Sequence, residues 1–480
     1  QEFEKKREQL ADYLNNTTKE DIFSYIPAQK SNQIFTPREV VNKMLNTLEA
    51  ENPGIFSNPN LTFCDLYVKS GLFLTETAKR LNRGLANIIP DERARLKHIF
   101  ENQLFGFAPT QIIYDIAANY IYGGFHEISR QNLKKQDLTE QFKKGEPLNM
   151  KFDVVIGNPP YQEETKDTSD KPIYNYFMSE AYKFADKVCF ITPARFLFNA
   201  GKTPKKWNAK MLNDEHLKVA YYEQDSSNVF PNTDIKGGVA ITYRDAQKNF
   251  GKIGTFTHFE ELNSILRKVV NNSFESIEPI VGVQLDYKFK KEFNISQVGL
   301  KTNVFNKQKH LFTDSRVSDT QIAILGLNGR SRIYKYIEEE YFILPQNHQK
   351  WKVYLPTSNG SGAIGEVLST PLIGEPLIGE PLIGHTETFI GIGEFDNQEE
   401  AENLLKYIKT KFARTMLGTL KITQHNLAST WKNVPLQNFT NNSDIDWSQS
   451  IAQIDRQLYN KYGLNEKEIA FIEEKVREMD

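Results

Sequence analysis

The chain has 480 residues, more than one average domain holds, so two to three domains are expected. A formal net charge of −2 with 25% charged residues excludes a global basic field, and any DNA-binding surface must therefore be a local groove. No apolar run approaches the ~20 residues of a membrane span, and the 8 histidines lack the spacing of a zinc site. Neither a membrane partner nor a metal in this part of the protein is expected.

The two cysteines, Cys64 and Cys189, each lie inside an apolar, strand-like run. A buried free thiol is the common state of cysteine in such a run, and free thiols fit a reducing compartment. The sequence therefore predicts a cytoplasmic location.

Residues 1–32 are expected to form an N-terminal helical extension, and the first motif, Phe35-Thr36-Pro37, follows them. A helix is predicted to begin within this motif. Thr36 is predicted to cap the helix, with Pro37 at its first position and Glu39 completing a capping box.

A short apolar strand at residues 61–65 comes next, and the chain then turns through Ser70 and Gly71 into a helix. Small residues in such a turn let the backbone approach a ligand closely. The turn after the first strand of a doubly wound sheet is where that fold binds a nucleotide. Residues 65–73 are therefore predicted to hold one.

Residues 152–161 form the most informative segment, an apolar strand that ends on Asn158-Pro159-Pro160-Tyr161. The prolines hold the peptides rigid and lack N–H donors, so the loop presents acceptors. The Asn158 side-chain oxygen and the neighbouring carbonyls can accept hydrogen bonds from an exocyclic amine, and Tyr161 offers a ring to stack on its base. An amine held in this way keeps its lone pair directed at an electrophile.

Strand and helix patterns alternate around this loop. Strands are predicted at residues 103–109, 188–193 and 236–243, and a helix at 173–185, while Asn228-Val229-Phe230-Pro231 precedes the last strand. This alternation predicts an α/β sheet with helices on both faces.

In this order the motifs resemble those of the S-adenosylmethionine-dependent N6-adenine DNA methyltransferases of the gamma, or Asn-Pro-Pro-Tyr, type. Residues 34–243 are similar to the modification and specificity part of type IIG-like single-chain restriction-modification enzymes. The resemblance implies a Rossmann-like methyltransferase sheet, S-adenosyl-L-methionine as the cofactor and double-stranded DNA as the partner. It also implies nuclease or helicase regions in the same full-length protein, which would belong to a restriction-modification system.

The resemblance assigns roles to single residues, with the target adenine flipped out of the duplex and methylated directly. The catalytic residues that it implies are Asn158, Pro159, Pro160, Tyr161 and Phe230. Phe230 would complete an aromatic slot opposite Tyr161. The implied cofactor-binding residues are Phe35, Thr36, Pro37, Asp65, Ser70, Gly71, Phe73, Asp137 and Asn158.

Three positions depart from the family pattern. Lys69 stands where a glycine is expected, Tyr67 is larger than the usual alanine, and Ala108 replaces the acid that would bind the ribose hydroxyls. These changes leave a second function open, a weak or silent methyltransferase fold that is the DNA-binding specificity module of a larger restriction enzyme. RNA or a protein glutamine is a further alternative substrate, because related methyltransferases use the same tetrapeptide on these groups.

Four regions are expected: the extension at 1–32, the methyltransferase domain at 33–250, a mixed α+β target-recognition domain at 251–445, and C-terminal helices at 446–480. Residues 286–293 interleave lysines with aromatics, which suits phosphate and base contacts or, equally, a solvated edge strand. The basic character continues at Lys301, Lys307, Lys309, Arg316, Arg330, Arg332 and Lys335.

Three further patterns fall in the second half of the chain. A repeat of period five at residues 371–385 fits neither a helix nor a strand face, and is predicted to form turns or edge strands. Residues 406–417 combine helical spacing with several bases and predict a helix on the wall of a DNA groove. Residues 446–479 predict two amphipathic helices broken at Gly463. The sequence has no P-loop and no clear nuclease motif, so neither an ATP motor nor a nuclease is predicted in this part.

Overall fold

The computed structural model describes residues 35–163, 171–231, 233–271, 273–359, 364, 372–421 and 425–479. The chain divides into two compact units, one ending at His258 and the other beginning at Phe259. The N-terminal extension expected at residues 1–32 lies outside the described residues. Within those residues, no helix is both long and apolar enough to cross a membrane.

A large, mostly parallel sheet organises the first unit. The strands of this unit are β1 (Phe63–Asp65), β2 (Leu104–Ala108), β3 (Leu133–Lys135), β4 (Phe152–Gly157), β5 (Gln162–Glu163), β6 (Lys171–Pro172), β7 (Ala185–Pro193), β8 (Leu217–Glu223) and β9 (Val239–Asp245). Seven of them form the sheet in the order β3-β2-β1-β4-β7-β9-β8, while β5 and β6 pair separately. Only β9 runs against its neighbours in the sheet.

Helices cover both faces of this sheet. They are α1 (Arg38–Glu51), α2 (Leu72–Gly84), α3 (Glu92–His98), α4 (Gln111–Tyr122), α5 (Thr139–Lys143), α6 (Tyr174–Phe184) and α7 (Lys205–Leu212). Successive residues of β4 point to opposite faces. Val154 and Ile156 therefore pack in one core with α1, α2 and α4, whereas Val155 packs in a second core with α5, α6 and α7. The predicted Rossmann-like sheet with helices on both faces is confirmed.

The strand order reverses between β1 and β4, which pair in parallel. Phe63 lies opposite Val154 and Cys64 opposite Val155. The chain leaves these two strands in opposite directions, which opens a crevice outside their carboxyl ends. The sheet therefore brings the residues that follow Asp65 and those that follow Gly157 to one edge.

The cysteines and the predicted elements of the first unit agree with the structure. Cys64 and Cys189 are free thiols and both are buried in the sheet, as expected from their apolar runs. The helix expected at residues 173–185 is α6, and the last predicted strand corresponds to β9, although β9 begins three residues later than expected.

The second unit is a mixed α+β fold. Its strands are β10 (Lys288–Phe289), β11 (Gln321–Asn328), β12 (Ser331–Glu338), β13 (Phe342–Ile343), β14 (Trp351–Pro356), β15 (Leu377–Gly379), β16 (Ile383–His385) and β17 (Phe389–Phe395). Its helices are α8 (Glu260–Val269), α9 (Val304–Lys307), α10 (Gln398–Lys409), α11 (Lys411–Gly418), α12 (Ile451–Lys461) and α13 (Glu466–Lys475). The described strands form three small sheets, β10-β13, β12-β11-β16 and β15-β14-β17.

The C-terminal helices α12 and α13 are separated at Gly463, which adopts a left-handed φ of 61°. Each begins with a capping box, the first from Ser450 and the second from Asn465. Their apolar faces bury Ile454 and Leu458 within the core of the second unit. The predicted break is confirmed, and both helices share a core with the segment before them.

The helix predicted at residues 406–417 is two helices that meet at Thr410. The Thr410 hydroxyl accepts a hydrogen bond from the Ala413 N–H over 3.1 Å and so caps α11. Arg414 is only 1% exposed, and its Nε donates to the backbone carbonyl of Lys409. The prediction of a groove wall is wrong because the central base of this segment is in the protein core.

The stripe at residues 286–293 behaves as a solvated edge strand. Tyr287 and Phe289 are buried in an apolar core, whereas Lys288 and Lys291 are exposed. These two rings therefore stabilise the second unit, while the exposed lysines fit either alternative. In the repeat, the units that contain β15 and β16 form sheet edges, as predicted, while residues 365–371 lie outside the described part.

Candidate active site

The loop at residues 158–161 follows β4 and lies beside the end of β1. All residues from Val154 to Tyr161 are buried, and Asn158 is only 2% exposed. A strand that is apolar on both faces is held on both sides by the cores, so its carboxyl end has a fixed position. The sheet therefore delivers Asn158 to a fixed place at the catalytic edge.

The Asn158 amide is oriented by Thr36. Its Nδ2 donates to the Thr36 hydroxyl oxygen over 3.0 Å, and its carbonyl oxygen Oδ1 is buried as well. This bond connects two motifs that are 122 positions apart in the chain. Because the NH₂ group is held by Thr36, the acceptor side of the amide faces the other way.

The capping box predicted at the start of α1 is wrong. The helix begins at Arg38, and Pro37 before it has φ −59° and ψ 147° with no side-chain cap. The Thr36 hydroxyl accepts from Asn158 and is directed into the site rather than toward the helix N-terminus.

Tyr161 and Phe230 are brought together, as the resemblance implied. Their ring centres are 6.4 Å apart with an interplanar angle of 70°, and both rings are buried. Rings that meet edge to face leave no parallel slot between them. An adenine could enter only if one of the two rings moved. Burial also raises the pKa of the Tyr161 hydroxyl, which therefore stays protonated.

A small pocket joins the catalytic loop to the turn after β1. It is lined by Thr36, Asp65, Tyr67, Lys69, Ser70, Gly71, Leu72, Phe73 and Asn158. The free space is about 10 Å³, which is room for a single water molecule. Six residues implied as cofactor-binding, Thr36, Asp65, Ser70, Gly71, Phe73 and Asn158, thus line one pocket.

Two glycines permit the close packing of this pocket. Gly71 precedes α2 with a left-handed φ of 86°, and a Cβ there would lie 2.9 Å from the Ile121 side chain. A Cβ on Gly157 would lie 2.8 Å from Oδ1 of Asp65. Any side chain at either position would displace the residues that line the pocket.

The Asp65 carboxylate is buried and held by the backbone. Its Oδ1 accepts a hydrogen bond from the Tyr67 N–H over 3.0 Å. Only 2% of the surface of Asp65 is exposed. Burial raises the pKa of Asp65 to about 7, against the opposing effects of the Tyr67 N–H and the Lys69 charge. Near neutral pH, any cation that enters the pocket would therefore stabilise the ionised form of Asp65.

Lys69 lies inside the pocket rather than on the surface. It is 8% exposed, and its Nζ is 5.9 Å from the ring centres of both Tyr67 and Tyr161. Burial lowers the pKa of Lys69 to about 7, while the charge of Asp65 acts in the opposite direction. The sequence identified Lys69 as a departure from the family, but not that its amine would face the catalytic tyrosine.

Three residues implied as cofactor-binding are outside the pocket lining. Phe35 and Pro37 flank Thr36, and Asp137 is exposed with its carboxylate accepting from the Thr139 N–H over 2.9 Å. Asp137 still acts on the site electrostatically, because burial and then the Asp137 charge raise the pKa of Tyr67 to about 12.

The ribose anchor is missing, as the sequence predicted. Ala108 ends β2 and is fully buried. The next residues turn directly into α4, where the Thr110 hydroxyl accepts from the Ile113 N–H and caps the helix.

A run of exposed bases after β7 was not identified from the sequence. The segment after β7 leaves the same edge as the catalytic loop and contains α7. Its exposed bases are Arg195, Lys202, Lys205, Lys206 and Lys210. The run of positive charge is visible in the sequence. The lysines there are separated by Pro204 and Trp207, and this pattern matches no recognisable motif.

Metal ligands do not cluster in the described ranges. No group of three or more His, Cys, Asp or Glu side chains there is arranged to hold a metal ion.

Comparison with known proteins gives the class of this unit. Residues 81–230 match the family model described as Eco57I restriction-modification methylase. These residues are thus similar to restriction-modification methylases. The matched segment includes the catalytic loop and Phe230, and it confirms the resemblance and the methyltransferase class predicted from the motifs.

Individual relatives agree with the family match. The chain is 28% identical to a Mycoplasma pneumoniae protein described as an uncharacterized adenine-specific methylase, over 55% of this chain and 80% of the relative. It is similar to the methyltransferase subunit of a type I restriction-modification system from Streptococcus thermophilus, with 15% identity, 46% of each chain covered and a TM-score of 0.34. It is also similar to the protein of the DrdV–DNA complex, with 12% identity, a TM-score of 0.37, and 96% of this chain and 60% of that one covered. The chain spans less than two thirds of both solved chains.

Proposed function

We propose that this protein is a sequence-specific DNA adenine-N6 methyltransferase of a restriction-modification system. The observation that carries the proposal is the Asn158 amide, held by Thr36 at the end of a buried strand next to an aromatic pair. The family match at residues 81–230 supports a restriction-modification methylase. The name of the Mycoplasma pneumoniae relative supports adenine as the target base.

The role of Asn158 follows from its orientation. Nδ2 donates to Thr36, and Oδ1, the acceptor atom of the amide, would accept a proton of the adenine amine. The backbone carbonyl in the Asn158–Pro159 segment would accept the second proton, since proline has no N–H to compete. Holding both protons directs the nitrogen lone pair at the methyl donor, so catalysis comes mainly from orientation.

The pocket residues fit S-adenosylmethionine by chemistry. The lining offers a buried carboxylate at Asp65, a buried amine at Lys69 and hydroxyls at Thr36 and Ser70, beside a turn in which Gly71 allows close backbone approach. When bound, S-adenosylmethionine supplies an activated methyl group. The closed volume implies that the Lys69 or Tyr67 side chain moves on binding.

Tyr161 and Phe230 would hold the flipped base. Aromatic stacking is worth about 1–3 kcal/mol per base, which offsets much of the cost of removing adenine from the duplex. Because the two rings touch in this structure, their separation would be part of base capture. Proline residues 159 and 160 are buried and keep the loop that carries Tyr161 rigid.

Phosphate contacts of the first unit would come from the exposed bases after β7. Arg195, Lys202, Lys205, Lys206 and Lys210 lie after the carboxyl end of a strand adjacent to β4, on the side where the base must enter. Such a local positive surface can bind duplex DNA although the chain has a net charge of −2.

The second unit would read the DNA sequence as a target-recognition domain. Its exposed bases include Arg330, at the turn of the hairpin formed by β11 and β12, and Arg332 on β12. Base reading requires side chains that reach the groove edges, and arginines on a two-stranded ribbon can do so. The proposal includes the four regions expected from the sequence, at 1–32, 33–250, 251–445 and 446–480.

A silent methyltransferase fold remains the second candidate. The observation in its favour is the pocket of about 10 Å³ that contains Lys69 in place of a glycine. A specificity module would bind DNA but neither S-adenosylhomocysteine nor a methyl donor. Calorimetry with S-adenosylhomocysteine separates the two functions.

The direct test is transfer of a radioactive methyl group from S-adenosylmethionine to duplex DNA, followed by digestion to nucleosides. We expect label only in N6-methyldeoxyadenosine. Asn158→Ala should reduce transfer at least 100-fold and leave DNA binding nearly unchanged, because the lost group acts on the amine and not on phosphates. The exposed Asn102→Ala is the matched control. Label in RNA or protein, or full turnover by Asn158→Ala, would contradict the assignment.

A further inference from the structure

Lys69 is a buried amine at a position where related enzymes have a glycine. It shares the pocket with Asp65, Ser70 and Asn158, and only 8% of the residue is exposed. Its Nζ lies 5.9 Å from the ring of Tyr161, within the distance at which a cation interacts with an aromatic face. This amine therefore lines the space that a ligand would enter beside the loop at residues 158–161.

Burying a charged amine is costly unless a counter-charge compensates for the lost water. The burial of Lys69 and Asp65 drives the pKa of each toward neutrality, down for the amine and up for the acid. The pocket thus contains one incompletely stabilised base and one incompletely stabilised acid. A zwitterionic ligand would stabilise the charged forms of both residues, whereas a neutral ligand would stabilise neither.

We infer that Lys69 binds the carboxylate of the amino-acid part of the cofactor, in the pocket that Asp65 also lines, so that the pocket selects adenosine ligands that carry a carboxylate. The inference rests on the proposed function, because it concerns the cofactor of that reaction. Lys69 is a binding residue here and takes no part in methyl transfer. On binding, its side chain moves out of the space it now fills to meet the carboxylate.

The test is calorimetry of the full chain with two ligands that differ only in the carboxylate. S-adenosylhomocysteine has the carboxylate, and decarboxylated S-adenosylhomocysteine keeps the ammonium alone. We expect the wild-type protein to bind the first about 10- to 100-fold more tightly, as for a hydrogen bond between charged groups. This comparison needs no variant, so it holds even if a substitution at Lys69 impairs folding.

Variants then assign the preference to Lys69. Lys69→Met keeps the length of the side chain but removes its charge, and should lose the preference by weakening only the binding of S-adenosylhomocysteine. Lys69→Arg should restore most of it. Lys97→Met, which changes an exposed lysine of the same unit, should behave as wild type.

The outcomes separate this inference from the proposed function. If S-adenosylhomocysteine binds but the decarboxylated ligand binds equally well, the inference is wrong and the methyltransferase proposal stands. Tighter binding of both ligands by Lys69→Met would also overturn it, since the side chain would then merely obstruct the pocket. If the wild-type protein binds neither ligand, the proposed function fails and the inference fails with it.

Discussion

At the residue scale, the proposed function depends on the hydrogen bond between Thr36 and Asn158. It leaves one amide atom, Oδ1, as the acceptor and so converts a flexible side chain into an oriented one. The sequence indicated both residues, but for separate reasons: Thr36 as a helix cap and Asn158 as a catalytic amide. Their contact could not be predicted, because it joins positions 122 residues apart that only the sheet brings together.

Removing the Thr36 hydroxyl should release the amide. We expect Thr36→Val to lower kcat about 3- to 10-fold, which is the loss of one ordinary buried hydrogen bond. Steady-state methylation of duplex DNA at saturating S-adenosylmethionine measures the effect. Thr36→Ser keeps the hydroxyl and is the matched control. If valine and serine had the same kcat, Thr36 would have no part in orienting Asn158.

Lys69 shows a different limit of residue-scale prediction. The sequence identified it as a departure from a glycine-rich turn, since that comparison needs only its position. Whether a lysine in a turn points to solvent or into a pocket depends on the packing of the tyrosines on either side, Tyr67 and Tyr161. That information is tertiary, and lysine is so commonly exposed that the local pattern favours the wrong answer.

At the scale of elements, the junction of β1 and β4 fixes the geometry of the pocket. Gly157 ends β4 directly beside the Asp65 carboxylate at the end of β1, and the packing leaves no room for a Cβ. The sequence predicted both strands from their apolar runs. The need for glycine at residue 157 appears only once the strands are paired.

Gly157→Ala should push Asp65 from its place. We expect a loss of about 1–3 kcal/mol in the free energy of unfolding, as in other overpacked sites, and weaker binding of S-adenosylhomocysteine. Urea unfolding measures the first effect and calorimetry the second. In an Asp65→Ala background the alanine at residue 157 contacts no carboxylate. The loss of unfolding free energy caused by Gly157→Ala should then be close to zero. Equal costs in the two backgrounds would show that the contact with Asp65 is not the cause.

Helices were predicted correctly where the apolar face was continuous. The prediction failed where a capping residue divided one predicted helix into two. The spacing at 173–185 and 446–479 gave α6, α12 and α13 because buried residues repeat at helical intervals. At 406–417 the same spacing concealed Thr410, whose side chain ends one helix and caps the next. The bases of this segment suggested a DNA surface, but Arg414 is buried, and burial cannot be read from charge alone.

At the scale of the whole molecule, the α/β class of the first unit was predictable because strand and helix patterns alternate. The mixed second unit was predictable only as a change of pattern, since its short strands pair in three small sheets between distant segments. The division into catalytic and recognition parts is therefore best tested by cutting the chain at the unit boundary, His258.

Truncation after His258 should leave a unit that binds S-adenosylhomocysteine but does not select a DNA sequence. In the proposed mechanism the loop at residues 158–161 contacts only the flipped base, so base pairs on either side would be read elsewhere. We expect equal affinity of the truncated protein for cognate and random duplexes in a binding titration. A truncated protein that still methylated one sequence in preference to others would locate the specificity in the first unit.

Acid should destabilise the second unit through two buried histidines. Burial lowers the pKa of both His348 and His385 from 6.5 to about 4. Between those pH values the unfolded chain takes up protons that the folded unit does not, so the free energy of unfolding falls as the pH decreases from 6.5 to 4. The expected loss is on the order of 2–3 kcal/mol per histidine at the acid end.

The groups around His385 determine how it is tested. Asp286 lies 3.9 Å from its Nε2, Tyr354 and Tyr287 pack against its ring, and Lys352 is buried nearby. Trp207→Phe leaves tryptophans only in the second unit, so their fluorescence in urea at pH 7, 5.5 and 4 follows that unit alone. Adding His385→Phe should reduce the acid sensitivity. An unchanged pH dependence would rule out His385 as its source.

The central claim, methylation of adenine N6 at a defined DNA sequence, is tested most directly by base-resolution sequencing. The full chain is incubated with S-adenosylmethionine and unmethylated genomic DNA, and modified bases are mapped, with Asn158→Ala as the control protein. The account predicts N6-methyladenine at nearly every copy of one short sequence and none with the variant. Modified bases scattered without a common sequence, a modification on cytosine, or no modification by a protein that binds S-adenosylhomocysteine would contradict it.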